Sequence, residues 1–317
     1  LFTDQSAQQA AFQQEQIDVF SPTSPAVTSD LKNQLSGKIF EQKQYSANPQ
    51  AGTYYGGAAP WSNQNLIGGI FRALDRYSIA NSLEQGLAVV CGSIPPSQAA
   101  YGIDEKELAT LPGYLTDRAT DEAEAKKMWE AGGGSALGEI IVDIPDIWEG
   151  LYKGASALIT NKLHSVLGNT FTAKIQTYAT ITTKIVKQQY GNGTNSIWYG
   201  WVTDVSGPDP SQLNFLTYNS TSAQWKQFGV KIPEVDTLTA QALTELDNAK
   251  RADLNKQVDR LVLKNWGAGV PYNVNGVGST LYWNYVHPIE SASFVNENRT
   301  ATDAWFNQSD PTWSGRK

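Results

Sequence analysis

Apolar residues recur at helical spacing in several stretches of the 317-residue chain. After Asn63 they fall on one face every three or four positions, which predicts an amphipathic helix. Residues 121–130 place acids before lysines, the charge order that a helix dipole favours, and the glycines at 132–134 are interpreted as the end of that helix rather than as a phosphate-binding loop. Further helices are predicted over residues 5–16, 78–84, 148–167, 235–246 and 254–262.

Alternating and short apolar runs predict strands between these helices. Phe171, Ala173 and Ile175 alternate with polar residues, as in a strand with one exposed face. Other strands are predicted over residues 17–20, 38–45, 87–90, 139–144 and 196–202. Strands that alternate with helices predict an α/β architecture.

Composition narrows the possible functions. The chain is 40% hydrophobic and 17% charged, which is ordinary for a globular protein and excludes disordered, collagen-like and coiled-coil classes. Lys and Arg number 24 against 31 Asp and Glu, for a net charge of −7. An acidic chain without clustered cations is a poor nucleic-acid binder. No apolar run approaches the roughly 20 residues of a membrane helix.

Familiar catalytic and metal-binding patterns are missing from the sequence. Cys91 is the single cysteine, and its apolar surroundings favour an inert buried thiol. The two histidines lie far apart and form no HExxH pattern, so no metal site and no cofactor is expected. Asp143, Asp146 and Glu149 could present carboxylates together, but a strand end followed by a helix start is the favoured interpretation. An enzyme is not expected.

One segment, Trp-Tyr-Gly-Trp-Val-Thr-Asp at residues 198–204, carries a candidate binding site. It predicts a strand of large aromatics that runs into a carboxylate, an arrangement suited to a ligand ammonium. The candidate ligand-binding residues are Tyr199, Trp201, Val202 and Asp204, and Gly200 would allow close backbone approach. From these residues alone, core aromatics followed by a turn-capping aspartate are the favoured alternative.

The order of segments resembles the family 5 bacterial extracellular solute-binding proteins, the oligopeptide- and dipeptide-binding class. Gly200-Trp201-Val202-Thr203-Asp204 with Pro208-Asp209-Pro210 is similar to the family pattern G-W-x-x-D-x-x-x-P. The sequence departs from the family helix near Asn65 at Gly68 and Gly69, each of which costs a helix about 1 kcal/mol relative to Ala. Other segments that resemble family patterns are residues 10–19, 65–76, 86–96, 121–132, 233–236 and 250–254.

The resemblance implies an α/β, periplasmic-binding-protein-like fold of the bilobed type II class, with a mixed sheet, flanking helices and most of the first lobe missing. It assigns residues 1–36 to a remnant of lobe I and the first hinge crossing, and residues 37–265 to lobe II. Residues 266–317 are assigned to the second crossing and a C-terminal return to lobe I. Without a covering partner, Trp283 and Trp305 in that return are expected to be exposed.

The resemblance also implies a function. The chain would be an extracytoplasmic receptor of an ABC importer, in the periplasm or at the cell surface, with or without a lipid anchor. Asp204 would pair with the α-ammonium of a peptide beside Trp201, and the closed receptor would deliver the peptide to the permease. The expected partners are a peptide or other small solute, the permease subunits, and the missing N-terminal lobe or another polypeptide. The alternative is a structural or interaction subunit of a larger extracytoplasmic assembly.

Overall fold

A computed structural model describes residues 4–22, 25–45, 51–54, 58–83, 89–95, 98–151, 154–200, 209–222, 231–265, 272–275, 277–287 and 305–313. Its α-helices are α1 (Gln5–Gln13), α2 (Pro25–Gln34), α3 (Gln64–Ala73), α4 (Arg76–Leu83), α5 (Glu105–Leu108), α6 (Arg118–Ala131), α7 (Asp146–Leu151), α8 (Ala155–Leu167), α9 (Tyr178–Val186), α10 (Ser211–Tyr218), α11 (Pro233–Thr244) and α12 (Asn248–Lys264). Its strands are β1 (Val19–Phe20), β2 (Ile39–Tyr45), β3 (Ala51–Tyr54), β4 (Val89–Val90), β5 (Ile140–Pro145), β6 (Phe171–Gln176), β7 (Ser196–Gly200), β8 (Tyr272–Asn275), β9 (Val277–Trp283), β10 (Val286–His287) and β11 (Trp305–Phe306).

The chain forms two compact units. Unit 1 combines Leu1–Ala47 with Gly276–Lys317, and unit 2 is Asn48–Asn275. These boundaries fall later in the chain than the predicted lobe boundaries at 36 and 265. Strand β2 pairs along its full length with β9, and this ladder places residues 39–45 in unit 1. The assignment of the two units to lobes stays a prediction.

Unit 1 is built on the antiparallel sheet β1-β9-β2. Helix α1 begins after Asp4, whose side chain accepts a hydrogen bond from the Ala7 N–H at 2.8 Å, as an N-cap does. Phe12 of this helix packs against Phe20 and Trp283, with ring centroids 5.8 and 5.4 Å away. The expectation that Trp283 is exposed is wrong, because it is 1% exposed in this core, whereas Trp305 is 56% exposed.

Unit 2 is built on a mixed six-stranded sheet in the order β4-β8-β3-β7-β5-β6. Strands β7 and β6 flank β5 and run parallel to it. Strand β3 joins β7 antiparallel, and β8 and β4 continue the antiparallel part. This mixed sheet with its flanking helices is the α/β architecture that the alternating pattern predicted.

Buried side chains cover both faces of the unit 2 sheet. Alternation along β7 directs Ile197 and Tyr199 to one face and Trp198 to the other. The first face packs on α3, α6 and α8, and the second packs on α9, α10, α11 and α12. Every side chain of β7 after Ser196 is therefore enclosed, which fixes the strand in the middle of the sheet.

Glycine at position 69 has a packing role that its helix propensity does not show. Gly69 faces α6, where an added Cβ would lie 3.1 Å from the Ala125 carbonyl oxygen and 3.3 Å from the Trp129 Cβ. The missing side chain lets α3 and α6 approach closely. Gly69 lowers the helix propensity of α3, but it also allows buried contact with Trp129, which is fully enclosed.

Some of the observed helices differ from those predicted from the sequence. The segment 148–167 is two helices, because Gly154 adopts the left-handed conformation between α7 and α8. The Glu149 carboxylate accepts hydrogen bonds from the N–H groups of Gly154 and Ser156 at 3.0 and 2.9 Å, and these satisfy the start of α8. Helices α9 and α10 were not predicted. The α9 segment is short and rich in threonine, isoleucine and valine, which favour strands, and the α10 segment is only eight residues long.

Candidate functional site

Strand β7, which precedes three of the four predicted site residues in the sequence, ends at the carboxyl edge of the parallel strands in unit 2. Because β5, β6 and β7 run in the same direction, their last residues, Pro145, Gln176 and Gly200, meet at one edge. Ligands of open α/β sheets commonly bind outside the carboxyl ends of such strands. Strand β7 leads from this edge directly into residues 201–208, which lie outside the described residues.

The structure describes one of the four predicted site residues. Trp201, Val202 and Asp204 lie outside the described residues, one to four positions after the end of β7. Tyr199 is fully buried on the first face of the sheet and packs edge-on against Trp148, with ring centroids 5.2 Å apart. This position agrees with the interpretation of the segment as core aromatics. Contact between Tyr199 and a solute stays a prediction.

Gly200 does allow a close approach, and the approaching group belongs to the protein. A Cβ at this position would lie 2.9 Å from both Cδ and Cγ of Pro145 on β5 and 3.0 Å from the Trp198 ring. Contacts below 3.0 Å are not tolerated without displacement. The glycine therefore lets the end of β7 pack closely against the end of β5.

A buried carboxylate lies beneath the same edge. Asp143 of β5 is enclosed on the second face of the sheet and pairs with the Lys184 Nζ of α9 at 2.5 Å. The Tyr190 hydroxyl donates to it at 2.8 Å, and the Gln176 side-chain amide donates to its other oxygen. With a cation and two further donors, Asp143 joins β5, β6 and α9 and offers no open position to a ligand.

The three acids singled out in the sequence are therefore separate. Asp143 belongs to the buried network, and Asp146 at the start of α7 accepts from the Ile147 N–H at 2.8 Å. Glu149 caps α8. The favoured interpretation, a strand end followed by a helix start, is correct.

Half-exposed apolar side chains at this edge were missed by sequence reasoning. Ile175 near the end of β6, Tyr178 at the start of α9 and Ile147 at the start of α7 are all exposed. The alternation along β6 predicts that Ile175 lies on the apolar face of the strand. The pattern does not show that the helices packed on this face leave Ile175 uncovered. Together they give this edge an apolar character suited to an organic solute.

The remaining candidates have structural roles. Cys91 is buried, and burial, followed by the nearby Asp259 carboxylate, raises the pKa of its thiol far above the usual range. Gly133 adopts the left-handed conformation at the end of α6, as expected of a helix stop. His287 stacks on Trp305, with ring centroids 4.0 Å apart. The described residues contain no group of three or more acids, cysteines or histidines arranged to hold a metal ion.

Comparisons with known proteins agree with this architecture. The model of the bacterial extracellular solute-binding proteins, family 5 Middle, matches residues 1–224. The ABC transporter substrate-binding protein CtaP of Listeria monocytogenes is similar in structure, with a TM-score of 0.73 at 14% identity over 96% of this chain and 59% of CtaP. No curated protein sequence matches the chain significantly.

Two further solved structures have the same fold. The murein tripeptide binding protein MppA of Escherichia coli gives a TM-score of 0.71 at 15% identity, over 95% of this chain and 56% of MppA. Haemophilus influenzae OppA, solved in complex with RPPGFSPFR, gives 0.66 at 17% identity, over 95% and 56%. The chain thus spans less than two thirds of the length of each of these structures.

The mixed sheet of unit 2 and its flanking helices, together with these likenesses, define a periplasmic-binding-protein-like α/β fold, as predicted. The chain belongs to family 5 of the bacterial extracellular solute-binding proteins, whose members have the solute-binding fold of ABC importers. That family consists of substrate-binding receptors and is normally not enzymatic. Among the described residues, no helix is long and apolar enough to cross a membrane.

Proposed function

We propose that this chain is the solute-binding part of a peptide receptor that serves an ABC importer. Family membership supports the receptor role, and the structurally similar proteins include the murein tripeptide binding protein MppA and OppA in complex with RPPGFSPFR. The proposed place of action is outside the cytoplasm, in the periplasm or at the cell surface, with or without a lipid anchor.

The position of β7 carries the proposal. This strand lies between β3 and β5 in the sheet and is covered on both faces, so the segment that follows it starts from a rigid support. Asp204 follows Gly200, the last residue of β7, by four positions in the sequence. A carboxylate there would accept charge-assisted hydrogen bonds from a peptide α-ammonium, with Trp201 and Val202 forming the adjoining wall.

The exposed apolar residues of the edge support the same solute class. Ile147, Ile175 and Tyr178 offer non-directional contact, which tolerates different side chains. Main-chain groups would hold the peptide in extended form, as in strand addition. Selectivity would then depend on the free amino terminus more than on peptide sequence.

Asp204→Asn tests the amine anchor. We expect the variant to bind a tripeptide such as Ala-Ala-Ala more weakly by roughly 1.5–3 kcal/mol, the scale of a hydrogen bond to a charged group. Isothermal titration calorimetry would be performed on the receptor as purified from its source cells, with every polypeptide that accompanies the chain. N-acetyl-Ala-Ala-Ala, which lacks the α-ammonium charge, should bind the wild type and the Asp204→Asn variant with equal affinity.

Asp146→Asn is the matched control, because Asp146 is an exposed carboxylate at the same edge. This variant should bind Ala-Ala-Ala and N-acetyl-Ala-Ala-Ala with the same affinities as the wild type. If wild type binds the free tripeptide and Asp204→Asn binds it equally well, Asp204 is not the anchor. If the wild-type receptor binds neither peptide, the alternative role of an interaction subunit in a larger extracytoplasmic assembly gains support.

A further inference from the structure

The connection between α11 and α12 in unit 2 exposes a leucine. Apolar residues at helical spacing continue from Val235 to Leu246, but α11 ends at Thr244. The backbone of Glu245 is extended, with ψ at 124°, and turns the chain away from the helix. Leu246 is 91% exposed, the highest fraction among the large apolar side chains of the described residues.

Polar groups hold this short connection in place. The Glu245 carboxylate accepts a hydrogen bond from the Asp247 N–H at 2.8 Å. The Asp247 carboxylate accepts from two N–H groups at the start of α12, at 2.9 and 3.0 Å. Arg251 donates to the Glu245 carbonyl oxygen at 2.8 Å. Because the Leu246 side chain is almost wholly in solvent, the fold does not require a leucine at this position.

Leu246 borders an open groove of about 830 Å³, which the end of α11 and the start of α12 line. Ala249 and Leu254 add apolar lining, and Gln241 and Thr244 add uncharged polar groups. Leu254 also packs against the core on the second face of the sheet, so the groove has a fixed floor. A single exposed leucine is ordinary on a protein surface. A leucine on a rigid connection beside a groove of this volume is a surface suited to a partner.

Three charged side chains of the groove have no ion-pair partner among the described residues. These are Lys250 and the two acids Glu245 and Asp253. By contrast, Arg251 and Arg260 of α12 both pair with carboxylates. Each of the two groove acids uses one oxygen for a bond within the hairpin, at 2.8 and 2.7 Å. The other oxygen of each carboxylate is therefore available to a partner.

This combination of groups is complementary to itself. In a two-fold dimer, residue i of one copy contacts residue j of the other, and j contacts i. Two hairpins related in this way would seat Leu246 of each copy in the groove of the other and bring Lys250 of each copy to Asp253 of the other. A nucleic acid or an anionic membrane would instead meet the two acids with a charge of the same sign.

We infer that two copies of this chain associate through the α11–α12 connection, with Leu246 as the apolar anchor and Lys250 paired with Asp253 across the two-fold axis. Such an association goes beyond the proposed function and does not depend on it, because it uses no residue of the candidate binding site. The contact involves one short connection from each copy, and the chain carries a net charge of −7 that opposes self-association. We therefore expect a weak dimer of small interface area.

Sedimentation equilibrium tests the association on the receptor as purified from its source cells, with every polypeptide that accompanies the chain. The wild type should show a concentration-dependent equilibrium between one receptor and a pair. Leu246→Asp puts a charge into the apolar contact and should raise the dissociation constant about tenfold or more. Val186→Asp is the matched control, because it adds the same charge at a 62% exposed apolar position on α9 and should leave the constant unchanged.

Exchange of two charges tests the two-fold arrangement. Lys250→Glu and Asp253→Lys each place like charges opposite one another across the axis, so each should weaken the association several-fold. The double variant Lys250→Glu/Asp253→Lys should recover most of the wild-type affinity, because opposite charges then face each other again. All three variants change exposed side chains and preserve the buried floor of the groove.

Four results would overturn the association or its geometry. A wild-type receptor that remains a single copy up to millimolar concentration would exclude the dimer. A dimer that Leu246→Asp leaves intact would use another surface. Single charge variants without effect, or a double variant that recovers nothing, would exclude the two-fold contact. A complex of one receptor with a different protein, lost in Leu246→Asp, would show that the groove has another occupant.

Discussion

Asp259 is a buried carboxylate whose hydrogen-bond donors, among the residues that the structure describes, are all uncharged. It accepts bonds from the N–H and hydroxyl of Ser93, at 2.8 and 2.6 Å, and from the Ile103 N–H at 3.2 Å. Burial raises its pKa, and these hydrogen bonds lower it in part. The neighbouring Gly92 must lack a side chain, since a Cβ there would lie 2.8 Å from the carboxylate. Through these bonds, Asp259 of α12 holds two segments of the chain, one at Ser93 and one at Ile103.

The raised pKa of Asp259 makes stability depend on pH in an unusual direction for an acid. Above the ordinary aspartate pKa of about 3.9 the unfolded chain has released a proton that the folded protein still binds. Stability from this group is therefore lost as pH rises through the folded-state pKa. Compared with Asp259→Asn, we expect the wild type to lose free energy of unfolding as pH is raised from about 4. Urea titrations at several pH values measure this difference.

Asp253→Asn is the matched control for the loss of one negative charge, because Asp253 is exposed on the same helix. Its stability curve should run parallel to that of the wild type. A difference between wild type and Asp259→Asn that is constant with pH would contradict the account of Asp259. In that case its contribution would come from hydrogen bonding alone.

At the scale of elements, α9 is attached to the sheet by charge as well as by apolar packing. Its Ile181 is buried against the second face, and its Lys184 reaches the enclosed Asp143 of β5. Removing one partner of a buried ion pair leaves the other charge uncompensated, which costs more than the pair itself contributes. Lys184 thus anchors a helix that its own sequence pattern did not predict.

Lys184→Met should destabilise the protein by roughly 2 kcal/mol. This is less than the 3–5 kcal/mol typical of a fully enclosed pair, because the Lys184 side chain is partly exposed and water screens the interaction. Adding Asp143→Asn should recover part of the loss, since the uncompensated charge is then gone. Thermal or urea unfolding of the single and double variants measures both effects.

Lys187→Met, at the exposed C-cap of the same helix, is the matched control. It should change the free energy of unfolding by well under 1 kcal/mol, as surface substitutions do. A Lys184→Met protein as stable as the control would mean that hydrogen bonds from Tyr190 and Gln176 are sufficient to hold Asp143.

Local sequence predicted most elements of unit 2 that have strong periodicity. Helices α3 and α6 begin near the residues expected, and Asn63 caps α3 through a 3.0 Å bond from the Asn65 N–H. Strand β6 matches its predicted span. The break between α7 and α8 was missed, because it depends on the conformation of Gly154 and a cap from Glu149 five residues earlier. Such a bond is not visible in a hydrophobic pattern.

At the scale of the whole molecule, the two units have separate buried cores. Phe12, Leu31 and Trp283 belong to the core of unit 1, whereas Ile159 of α8 and Ile144 of β5 belong to a core of unit 2. Each unit also has its own sheet. Stability is therefore expected to be set within each unit by its own buried residues.

Leu31→Ala should lower the protection of β9 amides against hydrogen exchange and leave the amides of β5 unchanged. Loss of a buried leucine costs about 2–5 kcal/mol, and the loss falls on the core of unit 1. Ile159→Ala is the reciprocal variant and should lower protection in β5 alone. Hydrogen exchange followed by mass spectrometry resolves both strands. An equal fall in β5 and β9 in either variant would show that the two units unfold together.

The sequence by itself determined the type of the strongly periodic elements, the α/β class and the family, because periodicity, capping residues and segment order are local properties of the chain. It also singled out the segment 198–204, although Asp204, Trp201 and Val202 as ligand contacts stay predictions. What only the tertiary structure decided were long-range facts. It enclosed Trp283 in a core and paired Asp143 with Lys184, 41 positions away. It also left Phe40 and Ile175 exposed. Burial depends on what packs against a residue, and distant parts of the chain supply that packing.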